Sequence, residues 1–125
     1  NSRCDAAAVE GERSLPPALH LQRDGDGASS AGWRWPGTVA FDRAVLQAGL
    51  EALTGPSGAL RACGLLRAKG VFRTERAWYG WQWVDGRSDW VETAWRADNR
   101  LEVLAERPID PQMVLDGVRA AVRTG

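Results

Sequence analysis

The chain has 125 residues, 44% of them hydrophobic, and its sixteen basic residues balance sixteen acidic ones. This length and composition predict one globular domain with a single core, and the charge balance argues against a strongly basic nucleic-acid-binding or membrane-surface domain. No apolar stretch approaches the roughly 20 residues of a spanning helix, and two distant cysteines do not make a disulfide framework. We therefore expect a protein of the reducing cytoplasm.

The first 31 residues mix Ala, Gly, Ser, Asp and Arg, include a Pro-Pro pair and show no sustained periodicity. Such composition is typical of a connecting segment. It predicts a flexible linker or tail over residues 1–31 and a folded domain over residues 32–125.

A strand is predicted at 33–41, where Trp35, Gly37, Val39 and Phe41 alternate with the residues between them, and Pro36 indicates an edge position or a bulge. Asp42 is a suitable N-cap for a helix over 43–53. Three leucines at i, i+4 and i+7 give this helix one apolar stripe: Leu46, Leu50 and Leu53.

The next strand, at 65–73, has the sequence LLRAKGVFR and alternates between two faces. The predicted buried face carries Leu66, Ala68, Gly70 and Phe72. The other face carries Arg67, Lys69, Val71 and Arg73. This alternation predicts a half-buried strand whose basic side faces water or a partner.

Three more strands follow, at 77–84, 90–96 and 100–105, and the connecting sequences Asp85-Gly86 and Asp98-Asn99 predict tight turns. In the first of them Trp78 lies on one side and Tyr79, Trp81 and Trp83 lie on the other. At least one large aromatic side chain is therefore expected on the face opposite the core.

A second helix is predicted after Asp110, which is a suitable N-cap followed by Pro111 at the first helical position. The complete order of elements predicts an α+β fold: a mostly antiparallel sheet of about five strands with two helices packed on one face. The opposite face of the sheet is then open.

Three of these segments, LLRAKGVF, DNRLEV and IDPQMVLDGV, together with Phe41-Asp42-Arg43, resemble the C-terminal domain of the CobW-type P-loop GTPases. The resemblance covers about residues 33 to 122, and Arg67 to Gly70 is its most specific part. It implies a small α+β domain joined to a nucleotide-binding domain, in proteins that deliver cobalt for cobalamin synthesis or maintain zinc homeostasis.

The chain contains no GxxxxGK[ST] loop, no Cys-x-Cys-Cys segment and only one histidine. The resemblance therefore implies no cofactor for this part of the family protein, while GTP and Zn or Co are implied for the intact protein. The implied partners are a P-loop GTPase domain, in the same or a companion chain, and a metal-receiving client protein.

Several candidate sites have alternative interpretations. Cys4, His20 and Cys63 match no zinc-site spacing, and no nucleophile or acid–base pair stands out, so we expect neither metal binding nor catalysis. The strand cations could instead pair with Glu92 or Glu102 on neighbouring strands.

The candidate interaction surface consists of Arg67, Lys69, Arg73, Trp78 and Trp81. The sequence predicts a non-catalytic interaction and regulatory domain that uses this surface. The alternative is a free-standing module that binds a small anionic ligand or single-stranded nucleic acid.

Overall fold

The structure, a computed structural model, describes residues 19–25 and 27–123. In chain order its elements are β1 (Leu19–Gly25), β2 (Ala28–Pro36), β3 (Ala40–Phe41), α1 (Arg43–Thr54), α2 (Ala59–Ala62), β4 (Leu65–Arg73), β5 (Trp78–Val84), β6 (Arg87–Thr93), β7 (Asp98–Ala105), α3 (Pro111–Arg119) and β8 (Val122–Arg123). No helix among these residues is long and apolar enough to cross a membrane.

Six of the strands form one antiparallel sheet in the order β1-β2-β7-β4-β5-β6, and β3 pairs with β8 in a separate two-stranded ribbon. The predicted α+β class is confirmed, with six strands in the main sheet where about five were expected. Because β7 pairs with β2 and β4 and not with β6, residues 94–97 carry the chain past the ends of two strands.

The additional strands lie in the segment that was predicted to be a linker. Residues 19–25 form β1, and β2 begins at Ala28, so the linker prediction is wrong for the described part of 1–31; residues 1–18 lie outside the described residues. The turn between the two strands includes Gly27 in the left-handed region, with φ 77°. Ser29 and Ala31 face the core, and their small side chains gave no strand signal in the sequence.

Both predicted helix starts are confirmed by their capping contacts. The Asp42 side chain accepts a hydrogen bond of 3.1 Å from the backbone N–H of Val45, and Asp110 accepts one of 3.0 Å from that of Gln112. These bonds satisfy N–H groups that have no partner within the helix.

Helices α1 and α3 pack against one face of the main sheet. Gly49 of α1 and Gly117 of α3 lie at their contact, where a Cβ on Gly49 would overlap the carbonyl of Gly117. The absence of both side chains therefore lets the two helix backbones come close together. The large, fully buried side chains of the core between the helices and the sheet include Trp35, Phe41, Leu46, Leu50, Phe72, Leu101, Val114 and Val118.

The Arg-Ala-Lys-Gly segment of β4 places its two small residues against large ones on β5. Ala68 lies opposite Trp83, and Gly70 lies opposite Trp81. A Cβ on Gly70 would come within 2.6 Å of the Phe72 ring and 2.8 Å of the Arg100 carbonyl oxygen. The residues of this segment that face the core have small side chains because the indoles and the Phe72 ring occupy the space beside them.

The first residues of β4 differ from the predicted alternation. The pairing with β7 shifts between Leu65 and Arg67, which is the signature of a β-bulge. The extra residue turns Leu66 outward and leaves Leu65 in the core. The prediction that Leu66 is buried is therefore wrong, whereas the alternation from Arg67 onward is as predicted.

The predicted tight turn at Asp98-Asn99 is also wrong, because both residues belong to β7. Asn99 is fully buried, its Oδ1 accepts a hydrogen bond from the backbone N–H of Arg73, and its Nδ2 donates to the carbonyls of Pro36 and Val39. Likewise β6 runs from Arg87 to Thr93, so the predicted strand at 90–96 begins and ends three residues too late.

Candidate interaction surface

The face of the main sheet that turns away from the helices is called the open face below. Strand register arranges its side chains in rows that run across the strands. The first, called the arginine row, consists of Arg23, Ser30, Leu104, Arg67, Val84 and Arg87. The second consists of Gly32, Glu102, Lys69, Gln82 and Asp89, and the third of Arg34, Arg100, Val71, Gly80 and Val91.

The open face is strongly basic although the chain as a whole is neutral. Its strands contribute seven basic side chains: Arg23, Arg34, Arg67, Lys69, Arg73, Arg87 and Arg100. They contribute three acidic ones: Asp89, Asp98 and Glu102. The excess of four positive charges is balanced by the rest of the chain. Charge balance over the whole sequence thus concealed a local excess of positive charge on this face.

Three of the predicted surface residues, Arg67, Lys69 and Arg73, lie exposed on the open face. The Lys69 Nζ is 3.7 Å from Glu102 Oε1, so the pairing considered as an alternative does form for this residue. Arg73 donates a hydrogen bond of 3.0 Å to the carbonyl of Gly37. Arg67 makes no ion pair with any residue that the structure describes.

The two predicted tryptophans lie on opposite faces of the sheet. Trp78 is on the open face but only 8% exposed, and the ring of Trp95 packs edge-on against it at a centroid distance of 6.5 Å. Trp81 lies in the core at 4% exposure, so its assignment to the surface is wrong. The cause is register: Trp81 pairs with Gly70, which faces the helices.

The most exposed tryptophan of the described residues is Trp95, at 74%. Sequence analysis missed it as a surface residue because it fell inside the predicted strand at 90–96. The connection at 94–97 instead lays it over Trp78, near the end of the open face that holds Arg73. An exposed indole at such a place is the kind of side chain that protein interfaces use as an anchor.

One carboxylate bridges two arginines at the same end of the sheet. Arg34 and Arg100 lie directly opposite each other on β2 and β7, which would be unfavourable for like charges. Asp98 relieves this repulsion, because its two oxygens lie 3.4 Å from Arg34 Nε and 2.9 Å from Arg100 Nε. Neither arginine was predicted to belong to the surface.

A groove of about 460 Å³ crosses the other end of the open face. It exists partly because Gly32 has no side chain at the centre of β2. Its charged lining comes from Arg23, Arg67, Lys69 and Glu102. The groove is therefore basic overall, with one carboxylate that already has a partner in Lys69.

Cys63, the second cysteine, lies half-buried away from the open face, with its thiol 3.7 Å from the carbonyl of Pro108. Burial raises the pKa of this thiol, although the positive charge of Arg107 acts in the opposite direction. The described residues include no group of three or more His, Cys, Asp or Glu side chains that could hold a metal ion. Cys4 lies outside the described residues, and His20 lies in β1.

Comparisons with known proteins agree with this fold. Residues 30–122 match the family described as the cobalamin synthesis protein cobW C-terminal domain. A crystal structure of the Zn(II)-bound YjiA GTPase from E. coli is similar, with a TM-score of 0.58 at 16% sequence identity. The similar part covers 74% of this chain and 30% of the YjiA chain, so the likeness concerns the fold of a minor part of that protein. No curated protein matches the chain.

Proposed function

We propose that this chain, which belongs to the family of cobalamin synthesis protein cobW C-terminal domains, is a non-catalytic interaction and regulatory domain of a cytoplasmic CobW-like, GTP-dependent metallochaperone. It contacts the GTPase domain, or the client protein that receives the metal, through the open face. The metal is cobalt for cobalamin synthesis or zinc for zinc homeostasis.

The observation that carries the proposal is the difference between the two faces of the sheet. One face is covered by α1 and α3, while the other exposes an excess of basic side chains and the indole of Trp95. A free surface that combines positive charge with an exposed aromatic side chain suits a protein partner with an acidic contact area.

GTP and the metal ion are assigned to no residue of this chain. The sequence contains no phosphate-binding loop of the GxxxxGK[ST] type, and the described residues provide no set of three metal ligands. In the proposed complex the partner therefore binds nucleotide and metal, and this domain contributes a docking surface.

The test is a calorimetric titration of the 125-residue chain with a CobW-type GTPase domain, loaded in turn with GDP and with a GTP analogue. We expect saturable binding that depends on the nucleotide. The double variant Arg67→Glu, Lys69→Glu should weaken it about tenfold or more, equivalent to about 1.4 kcal/mol. Both residues are exposed, so thermal unfolding of the variant should remain close to that of the wild type.

The matched control is Arg76→Glu, Arg107→Glu, which reverses the same amount of charge at exposed positions outside the main sheet. An equal loss of affinity in both double variants would contradict docking through the open face. No binding of the wild-type chain, together with saturable binding of a small anion or an oligonucleotide, would support the free-standing binding module instead.

A further inference from the structure

We infer that the arginine row binds an acidic segment of a partner protein in which carboxylates alternate with apolar residues. This inference rests on the proposed function of the open face as a docking surface, and it specifies the chemistry of the partner. It also places the centre of the contact at the arginine row, which includes Arg23 and Arg87, and not at Lys69 and Arg73.

The cations of the arginine row, unlike Arg34, Lys69 and Arg100, make no ion pair with a carboxylate of the described residues. Arg34 and Arg100 share Asp98, and Lys69 lies beside Glu102. Arg23, Arg67 and Arg87 are exposed and form no ion pair within the described part of the chain. Their charge is therefore available to a partner.

Apolar side chains separate these arginines. Leu104, 36% exposed, lies between Arg23 and Arg67, and Val84, 42% exposed, lies between Arg67 and Arg87. Neighbouring strands are about 4.8 Å apart, which places Arg23 and Arg67 about 14 Å apart and Arg67 and Arg87 about 10 Å apart. The β-bulge adds Leu66 to the exposed apolar surface next to Arg67.

A partner segment that complements this row needs acidic residues three to four positions apart, since an extended chain advances about 3.3 to 3.6 Å per residue. Its intervening apolar side chains would contact Leu104 and Val84. The groove over Gly32 gives the segment a place to lie between Arg23 and Arg67. The row holds aliphatic side chains and no aromatic ring, which favours a peptide over the stacked bases of a single-stranded nucleic acid.

The test measures fluorescence anisotropy of a labelled synthetic peptide of Glu-Ser-Leu-Ser repeats, whose Glu and Leu share one face of an extended chain, titrated with the 125-residue chain. The comparison peptide has Gln in place of every Glu. We expect saturable, salt-sensitive binding of the Glu peptide only. Arg23→Gln or Arg67→Gln should weaken it about fivefold or more, in the range of charge-assisted contacts at interfaces.

Gly32→Leu tests the groove separately. A Cβ at this position would make only ordinary contacts, 3.7 Å from the Leu101 carbonyl oxygen and 3.8 Å from Glu102 Cγ, so the variant should fold. We expect it to bind the Glu peptide more weakly than the wild type. The matched charge controls are Arg34→Gln and Arg100→Gln, which remove cations that share Asp98 away from the groove and should change affinity less than about twofold.

The inference is overturned if the Glu peptide shows no saturable binding, if the control variants weaken it as much as Arg67→Gln, or if an oligothymidine competes as well as unlabelled peptide. The proposed function and this inference can fail separately. If a CobW-type GTPase domain binds but Arg23→Gln and Arg67→Gln leave its affinity unchanged, the inference is wrong and the proposed function stands. If the peptide binds as expected and neither the GTPase domain nor a client binds, the proposed function is wrong and the inference stands.

Discussion

The backbone N–H of Arg73, the last residue of β4, donates a hydrogen bond of 2.6 Å to the side-chain oxygen of Asn99 on β7. The amide nitrogen of the same side chain donates to the carbonyls of Pro36 and Val39, each at 3.0 Å. One buried amide therefore connects the end of β4 to the turn that follows β2. It also holds the backbone of Arg73 in place at the edge of the open face.

Asn99→Ala should lower the free energy of unfolding by about 2 to 4 kcal/mol, because it removes the side-chain partner of the Arg73 N–H and the Val39 carbonyl and one of two bonds to the Pro36 carbonyl. The measurement is urea denaturation followed by tryptophan fluorescence. Gln82→Ala, which truncates an exposed polar side chain on β5, is the control and should change stability by less than about 0.5 kcal/mol. Equal stabilities for the two variants would mean that the three bonds contribute nothing.

Trp81 and Trp95 should respond very differently to truncation. Trp81→Ala removes a large side chain from the core and should cost about 3 to 5 kcal/mol of stability. Trp95→Ala removes a mostly exposed ring and should cost less than about 1 kcal/mol, while weakening the binding of a protein partner. Thermal unfolding separates the two cases. A larger loss of stability for Trp95→Ala than for Trp81→Ala would refute the assignment of faces.

Gly49→Ala should destabilise the domain even though alanine is the better helix former by about 1 kcal/mol. The new methyl group would overlap the carbonyl of Gly117 and force α1 and α3 apart. We expect a net loss of about 1 to 3 kcal/mol in chemical denaturation. Val45→Ala, at an exposed position of the same helix, should have little effect. A stabilised Gly49→Ala variant would show that the two helices are not in close contact.

The ion pair between Lys69 and Glu102 should add little to stability. Both side chains are more than half exposed, at 62% and 53%, and exposed pairs contribute about 0 to 1 kcal/mol. Glu102→Gln should therefore leave the unfolding temperature nearly unchanged at low salt. It should also free the charge of Lys69 and strengthen binding of an acidic peptide. Unchanged peptide affinity at low salt would indicate that Lys69 lies outside the contact.

Alkylation of Cys63 should reveal its raised pKa. Burial favours the neutral thiol, so at a given pH the folded chain holds less thiolate at this position than the denatured chain. The midpoint of its reaction with iodoacetamide should lie at higher pH in the folded chain, and peptide mass spectrometry separates it from Cys4. Because the folded form binds the proton more tightly, this group lowers stability as pH rises through and above the unfolded pKa. Arg107→Gln should move the midpoint higher still, and a shift to lower pH would contradict the assigned cause.

Local signals in the sequence were sufficient to predict much of the fold. The caps at Asp42 and Asp110 and the leucine stripe of α1 depend on neighbours a few residues apart, and the structure confirms them. By contrast β2 pairs with β7, which is distant in the sequence, and β1 joins the sheet only through β2. The bulge at Leu66 likewise arises from the register between β4 and β7. No short window of sequence contains that information.

The candidate site, like the fold, was predictable where it depends on residues of one strand and not where it depends on pairing between strands. The alternation within β4 placed Arg67, Lys69 and Arg73 correctly, because one strand defines its own two faces. It could not show which face of β5 is buried, and Trp81 was therefore assigned to the surface in error. Arg23 and Arg87 join Arg67 only through the order of six strands. Their interaction role, like that of the predicted residues, remains a prediction.

The excess of basic side chains gives the open face a positive potential although the chain as a whole is neutral. Its sequence pI of about 6.8 suggests that it should pass through a cation-exchange column near neutral pH, yet it presents a side that such a resin attracts. The same local charge would rotate the domain as it approaches an acidic surface, so that the arginine row arrives first. A torque of this kind acts over about one Debye length, roughly 8 to 10 Å at physiological salt, and thus precedes any direct contact.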